Sequence, residues 1–283
     1  MVVCECLWIT EELFDSLCDD SVSGRDPVRL ISVTQPGATD FHRIMPTHLH
    51  KIMTSEVTLF ATQRQLGVEL SCLRGTNDPY GDRALNTNAD FTIRHNAGFA
   101  PWLKAARKAH RGKKVLSHCT IGGMDKKPDG CIENAHSTGN HKYLEYKLLS
   151  PLGSDGTPTN KYAAQAAHAG VAPILDEIQD KYGGCLKAGN RSHSLTRILT
   201  DTFGGVHIEG VKFLKDSGAH LRGLDQPGHD PTAPLDEPRS DDEDSPAKTT
   251  ASPYYSQSMQ SISLAAHVTL AEHVFRVIRS ARE

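Results

Sequence analysis

At Gly112 the spacing of apolar residues changes, and that change limits the folds open to this chain of 283 residues. Before it, apolar side chains recur at helical spacing. From about Asn96 to Arg111, Phe99, Trp102, Leu103 and Ala106 share one face, while Lys104, Arg107, Lys108 and Arg111 lie mostly elsewhere. After Gly112 the pattern breaks into short runs separated by Gly, Pro, Asn and Asp. Lys114 to Thr120, Gly130 to Glu133 and Lys142 to Leu149 read as three strands. Helical spacing then returns from Asn160 to Lys181 through Tyr162, Ala166, Ile174 and Ile178, with a stop at Gly183. Strands grouped between helices predict an α/β chain of the α+β kind: a small mixed sheet of three to four strands flanked by helices, with further helices at both ends.

The remaining segments fill out this plan. Residues 1 to 26 read as a short helix with an acidic first turn. RLISVTQPGATDFHRIMPT holds a short apolar run, a turn at Pro36 and Gly37 and a stop at Pro46. HLHKIMTSEVTLFATQRQLGVEL, with Ile52, Val57, Phe60 and Leu66 at helical spacing, predicts a helix of about four turns. Residues 72 to 90 are rich in turn formers. Leu195 to Leu221 predicts a helical pair split at Gly204 and Gly205, and Gln257 to Arg282 a closing amphipathic helix. Leu224 to Pro253 is made of Pro, Asp, Ser and Thr with almost no apolar residues, and reads as a disordered linker. The expected organisation is therefore a helical and irregular region over 1–93, an α/β domain over 94–223, the linker over 224–253 and a terminal helix over 254–283.

Charge follows the same division. The formal net charge is −3, but nine Lys or Arg stand against one acid between Arg94 and Lys127, and six acids stand against one Arg between Asp236 and Asp244. The linker carries much of the acid and leaves the rest net basic, so composition does not exclude a polyanionic partner. Nor is there a run of roughly 18 apolar residues, as a membrane span requires. The first residues carry acids rather than a basic start and an apolar run, so no secretion signal is read there and an intracellular setting with free thiols is expected. Neither GxxxxGK[ST] nor GxSxG occurs.

One constellation carries chemistry. Glu145 and Lys147 alternate with Tyr146 on the third predicted strand, so the acid and the lysine point one way and the tyrosine the other. If Asp129 begins the adjoining strand, two carboxylates converge. Hard oxygen donors of that kind suit Mg2+ or Mn2+, with waters completing the shell. Lys147 would then orient a water or stabilise charge developing on a phosphate. The competing reading is a solvated strand face carrying an ordinary Glu–Lys pair. Cys119 and Cys131, which flank Asp129, read as small buried hydrophobes.

Asp129, Glu145 and Lys147 resemble the PD-(D/E)XK nuclease superfamily. An ordered series of short landmarks is similar to the C-terminal region of retrotransposon-type reverse-transcriptase proteins, where a restriction-endonuclease-like domain follows the polymerase. The series runs RLISVTQPGA, IMPT, GDRAL, Arg94-His95-Asn96, Pro128-Asp129, LEYKLLSP, Asn160-Lys161-Tyr162, TFGGVHIEGVKFL and RVIRSA. The resemblance implies a restriction-endonuclease-like core and a DNA endonuclease acting at an integration target. Asp129 and Glu145 would hold the metal, Lys147 would be the third catalytic residue, and Gln165 would be a polar helix residue facing the site. It implies a nuclear setting in a eukaryotic host, and the polymerase part of the same element as a partner. Arg94, His95, Lys104, Arg107, Lys108, Arg111, Lys113 and Lys114 are the candidate DNA contacts.

The chain departs from the family's cysteine- and histidine-rich zinc stretch. Only Cys72 is retained, with Arg74, Arg83 and Asn86 where ligands would stand, so no structural zinc is expected. That loss keeps a second reading open, a nucleic-acid-binding remnant whose chemistry has lapsed. A third is an unrelated α/β protein in which these residues do not meet.

Overall fold

The strand KYLEYKLL organises the sheet. In the computed structural model, which describes residues 25–43, 53–121, 127–135, 139–159, 173–186, 193–224 and 253–281, it spans Lys142–Leu149 (β3). β1 (Val115–Ser117) and β2 (Gly130–Ile132) precede it as an antiparallel ladder, and β4 (Ser194–Asp201) lies parallel on its other side. The result is a mixed four-stranded sheet in the order β1-β2-β3-β4. Seven α-helices accompany it among the described residues: α1 (Arg25–Val33), α2 (Ser55–Leu66), α3 (Asp82–Leu85), α4 (Phe91–Ala109), α5 (Pro173–Leu186), α6 (Ile208–Leu224) and α7 (Pro253–Ser280). The expected mixed sheet with flanking helices is present, and its first three strands fall where the sequence places them.

The fourth strand corrects the sequence reading, which made Leu195 onward helical. Leu195, Ile198 and Leu199 stand three and four residues apart, as on one face of a helix. The alternation that would mark a strand is erased because residues 198–201 are all buried, as happens where a parallel strand is covered on both faces. Gly204 and Gly205 therefore join β4 to α6 rather than one helix to another. A Cβ on Gly204, whose φ is +87°, would lie 2.9 Å from Nε2 of His267 and 3.3 Å from the backbone of Ala38. Glycine lets this turn, the Pro36-Gly37 turn and α7 meet.

The sheet has two apolar faces. On one, α4 lays Phe99, Trp102, Leu103 and Ala106 against Ile132, Leu144, Tyr146 and Ile198, with α6 and the start of α7 closing around them. Gly98 permits this approach, because a Cβ there would collide with the Tyr146 hydroxyl. On the other face, Leu175, Ile178 and Tyr182 of α5 pack on Cys131, Tyr143 and Leu199. A separate cluster joins α2, α3 and the distal half of α7 through Phe60, Leu70, Leu85, Leu270 and Val274. At 28 residues, α7 is about 42 Å long and belongs to both the sheet layer and this helical cluster. None of the described helices is long and apolar enough to cross a membrane. Residues 1–24 of the helix expected over 1–26, residue Gln165 and nearly all of the 224–253 stretch lie outside the described residues.

Candidate active site

Alternation along β3 sends Tyr143, Glu145 and Lys147 toward α5, and Leu144 and Tyr146 toward α4. Glu145 and Lys147 thus share a face, with Tyr146 opposed, as the sequence predicts. The register pairs Gly130 with Leu144, so Asp129 stands one step before β2 and opposite Glu145. There β2 has ended, leaving the Tyr146 N–H without a strand partner. Asp129 supplies one, its Oδ2 accepting that N–H at 2.8 Å. Lys147 is salt-bridged to Glu145 Oε1 at 3.5 Å, and its charge acts on Asp129 as well. The three residues gather where two strands part.

Glu145 is 2 % exposed, and burying a carboxylate is costly unless it is paired. Both of its oxygens are engaged. Oε1 accepts from Lys181 Nζ at 2.9 Å and faces Lys147, while Oε2 accepts from the Tyr182 hydroxyl at 2.8 Å. Burial and the Glu145 hydrogen bond both push the Tyr182 hydroxyl well above its usual value, so it keeps its proton and donates. Arg197, the parallel neighbour of Glu145, pairs instead with Glu209. Lys181 and Tyr182 are the site members that sequence reasoning missed. A signal was present: Leu175, Ile178 and Tyr182 stand at i, i+3 and i+7, which puts Tyr182 on the buried face and Lys181 at its rim.

His95 approaches from α4. Its Nε2 lies 3.1 Å from the Tyr146 carbonyl and 3.4 Å from Asp129 Oδ2, and its Nδ1 lies 3.3 Å from Asn96 Oδ1. With oxygen acceptors at both nitrogens, the ring is arranged to carry both protons. Burial pulls the His95 pKa down, but the Asp129 hydrogen bond and charge outweigh it and the net shift is upward. Asp129 moves the opposite way: burial raises it, and His95, the Tyr146 N–H and Lys147 together bring it below the usual carboxylate value.

The other candidates divide. Arg94 is not a DNA contact: it is 4 % exposed, and its guanidinium donates to the carbonyls of Leu85 and Thr87, clamping the turn-rich segment to α4. Lys104, Arg107, Lys108, Arg111 and Lys114 are exposed and Lys113 half-buried. Lys108 donates to Gln257, Lys113 to the Ala135 carbonyl, and Lys114 pairs with Glu133. Arg107 stands about 18 Å along α4 from His95, by helical rise, so this basic group flanks the site rather than lining it.

A metal here would have Asp129 and Glu145 as its candidate oxygen donors. Among the described residues no group of three or more His, Cys, Asp or Glu side chains is placed to hold an ion. Two carboxylates nevertheless fit Mg2+, which keeps several waters and often takes only one or two protein oxygens. The observation favouring the fit is that Glu145 Oε1 is met by lysine ammoniums, which can swing away, rather than by fixed backbone donors. No protein-family model, curated protein or solved structure matches the chain.

Proposed function

We propose that this chain is a metal-dependent DNA endonuclease of the restriction-endonuclease-like type, from a retroelement, hydrolysing a phosphodiester at an integration target. The observation that supports this most is the gathering of Asp129, Glu145 and Lys147 at the parting of β2 and β3, beside solvent that Lys147 and Lys181 reach. In this reading Asp129 and Glu145 hold Mg2+ or Mn2+. When bound, the metal supplies Lewis acidity at the phosphate and acidifies a water. Lys147 stabilises charge on the phosphate oxygens. His95 fixes Asp129, and Tyr182 fixes Glu145. The exposed cations of α4 and of the turn that follows it hold flanking backbone without reading sequence. The polymerase part of the element would be the partner, in the nucleus of a eukaryotic host.

The engagement of both Glu145 oxygens favours a second reading, a nucleic-acid-binding remnant whose lysines have taken the place of the metal. One experiment separates the two. Supercoiled plasmid is incubated with purified protein and Mg2+, and nicking is compared between wild type and Glu145→Ala. The endonuclease reading predicts nicking by the wild type and none by the variant. Equal nicking by both would remove Glu145 from the chemistry, and binding without nicking by either would support the remnant.

A further inference from the structure

We propose that Cys119 and Cys131 are a site of reversible oxidation by peroxide, Cys119 reacting first and Cys131 closing a disulfide onto it. The inference is independent of the nuclease reading and begins with the backbone of β1. Cross-strand pairing sets Leu116 opposite Cys131, and both pack in the cluster under α5. Gly130, opposite Ser117, faces α4, where a Cβ would meet Phe99 and Leu103. Plain alternation would then turn His118 toward α5 and Cys119 toward α4. His118 interrupts it with a left-handed backbone, φ 53°, a conformation unfavourable for a residue with a Cβ. Cys119 is thereby delivered to the α5 side, beside Cys131, Tyr143 and Tyr182. The two thiols hydrogen-bond one another, and Cys119 Sγ also donates to the Pro128 carbonyl at 3.9 Å. Thiols on adjoining strand ends that already touch have the proximity that a disulfide requires. Neither is in a disulfide in this structure.

The pair is unequal, which sets the order of reaction. The hydrogen bond from Cys131 draws the Cys119 pKa down, against burial and the nearby charges of Asp129 and Glu133, and the net shift is downward. That same bond, together with burial, pushes Cys131 up, so it keeps its proton. Cys119 is also the less buried of the two, 9 % exposed against 3 %. The thiolate is the nucleophile of cysteine chemistry. Its sulfur attacks one oxygen of hydrogen peroxide, the O–O bond breaks, and Cys119 becomes a sulfenic acid while the departing hydroxide takes up the proton that Cys119 released and leaves as water. The Cys131 sulfur then attacks the Cys119 sulfur, the S–O bond breaks, and the hydroxide leaves with the Cys131 proton as a second water. Two electrons pass from the sulfurs to the peroxide. A dithiol returns them by exchange. Because the Cys119 thiol and the His118 N–H, which donates to the Asp129 carbonyl at 2.9 Å, both hold the Pro128-Asp129 segment, the oxidation takes place on the backbone support of Asp129.

The test uses the full chain under native conditions. Reductant is removed, hydrogen peroxide is added in steps, the remaining thiols are alkylated, and the peptides are mapped by mass spectrometry. The expected result is joint loss of the Cys119 and Cys131 thiols into one cross-linked peptide that dithiothreitol separates, before the half-buried Cys72 is oxidised. Cys131→Ser should stop at a Cys119 sulfenic acid that dimedone captures, and in Cys119→Ser the Cys131 thiol should remain alkylatable. Two thiols still alkylatable in the wild type once Cys72 has been oxidised would overturn the proposal, as would a cross-link from Cys119 to any other cysteine. Capture of a Cys131 sulfenic acid in Cys119→Ser would overturn the order of reaction. The wild-type map needs no substitution, so it decides the pairing even if either variant fails to fold.

Discussion

Two charged clusters tie helices to the sheet, and they are built to opposite ends. Around Arg64 of α2, every guanidinium nitrogen is engaged. Nε gives to the Thr202 carbonyl, Nη1 to the Tyr80 carbonyl and Asp82, and Nη2 to the Thr202 hydroxyl, with the Phe203 ring 4.4 Å from the guanidinium carbon. Arg25 takes the other oxygen of Asp82. Both Arg64 and Asp82 are almost wholly buried. Burial draws the Arg64 pKa down and Asp82 opposes it, while burial pushes nearby Asp201 up to about 7. Around Glu145 the acid and Tyr182 are buried, while both lysine side chains stay partly in solvent. Opposite charges make a sealed joint in one place and a half-exposed cluster in the other. Exposure of the cations, more than the presence of charge, distinguishes the two clusters.

The largest effect should come from the sealed joint. Arg64→Met leaves Asp82 buried with only Arg25, and breaking a buried pair in this way should cost about 3–5 kcal/mol, read from the urea midpoint at constant slope. A loss under about 1 kcal/mol would erase the contrast. Tyr182→Phe is intermediate. It strips the donor from one oxygen of a buried carboxylate and should cost about 1–3 kcal/mol in thermal or urea unfolding.

The smallest effect is a pH dependence at His95. Its raised pKa stabilises the fold fully below the usual histidine value of about 6.5, and that contribution is lost as pH rises through the folded-state value. The lowered pKa of Asp129 acts the other way, its contribution being present above the usual carboxylate value and lost as pH falls through the folded one. Wild type should therefore exceed His95→Gln most between about pH 4 and 6.5, with the gap narrowing toward pH 8. A gap constant with pH would show that the pair does not titrate with the fold.

What the sequence showed and hid follows from how local each feature is. Alternation is a property of consecutive residues, so the opposed faces of Glu145 and Tyr146 were legible, as were β1, β2 and β3 with their turns. β4 was not, because its identity comes from pairing with β3 some fifty residues away, and Leu195, Ile198 and Leu199 imitate helical spacing. Arg94 carries the same charge as Arg107, and only the carbonyls of Leu85 and Thr87 folding over it make it a clamp. Lys181 and Tyr182 stand 36 and 37 residues from Glu145. Their helix face was readable, but its target was not.

In the proposed reading, chemistry resides at the open cluster around Glu145 and stability at the sealed one around Arg64. The most direct measurement is Mg2+-dependent nicking of supercoiled plasmid by wild type, Glu145→Ala and Arg64→Met, each assayed well below its own melting temperature. The expected outcome is that the wild type nicks, that Glu145→Ala does not although it is folded, and that Arg64→Met nicks at close to the wild-type rate despite its lost stability. Nicking by Glu145→Ala at the wild-type rate would contradict it, as would equal loss of activity in a folded Arg64→Met.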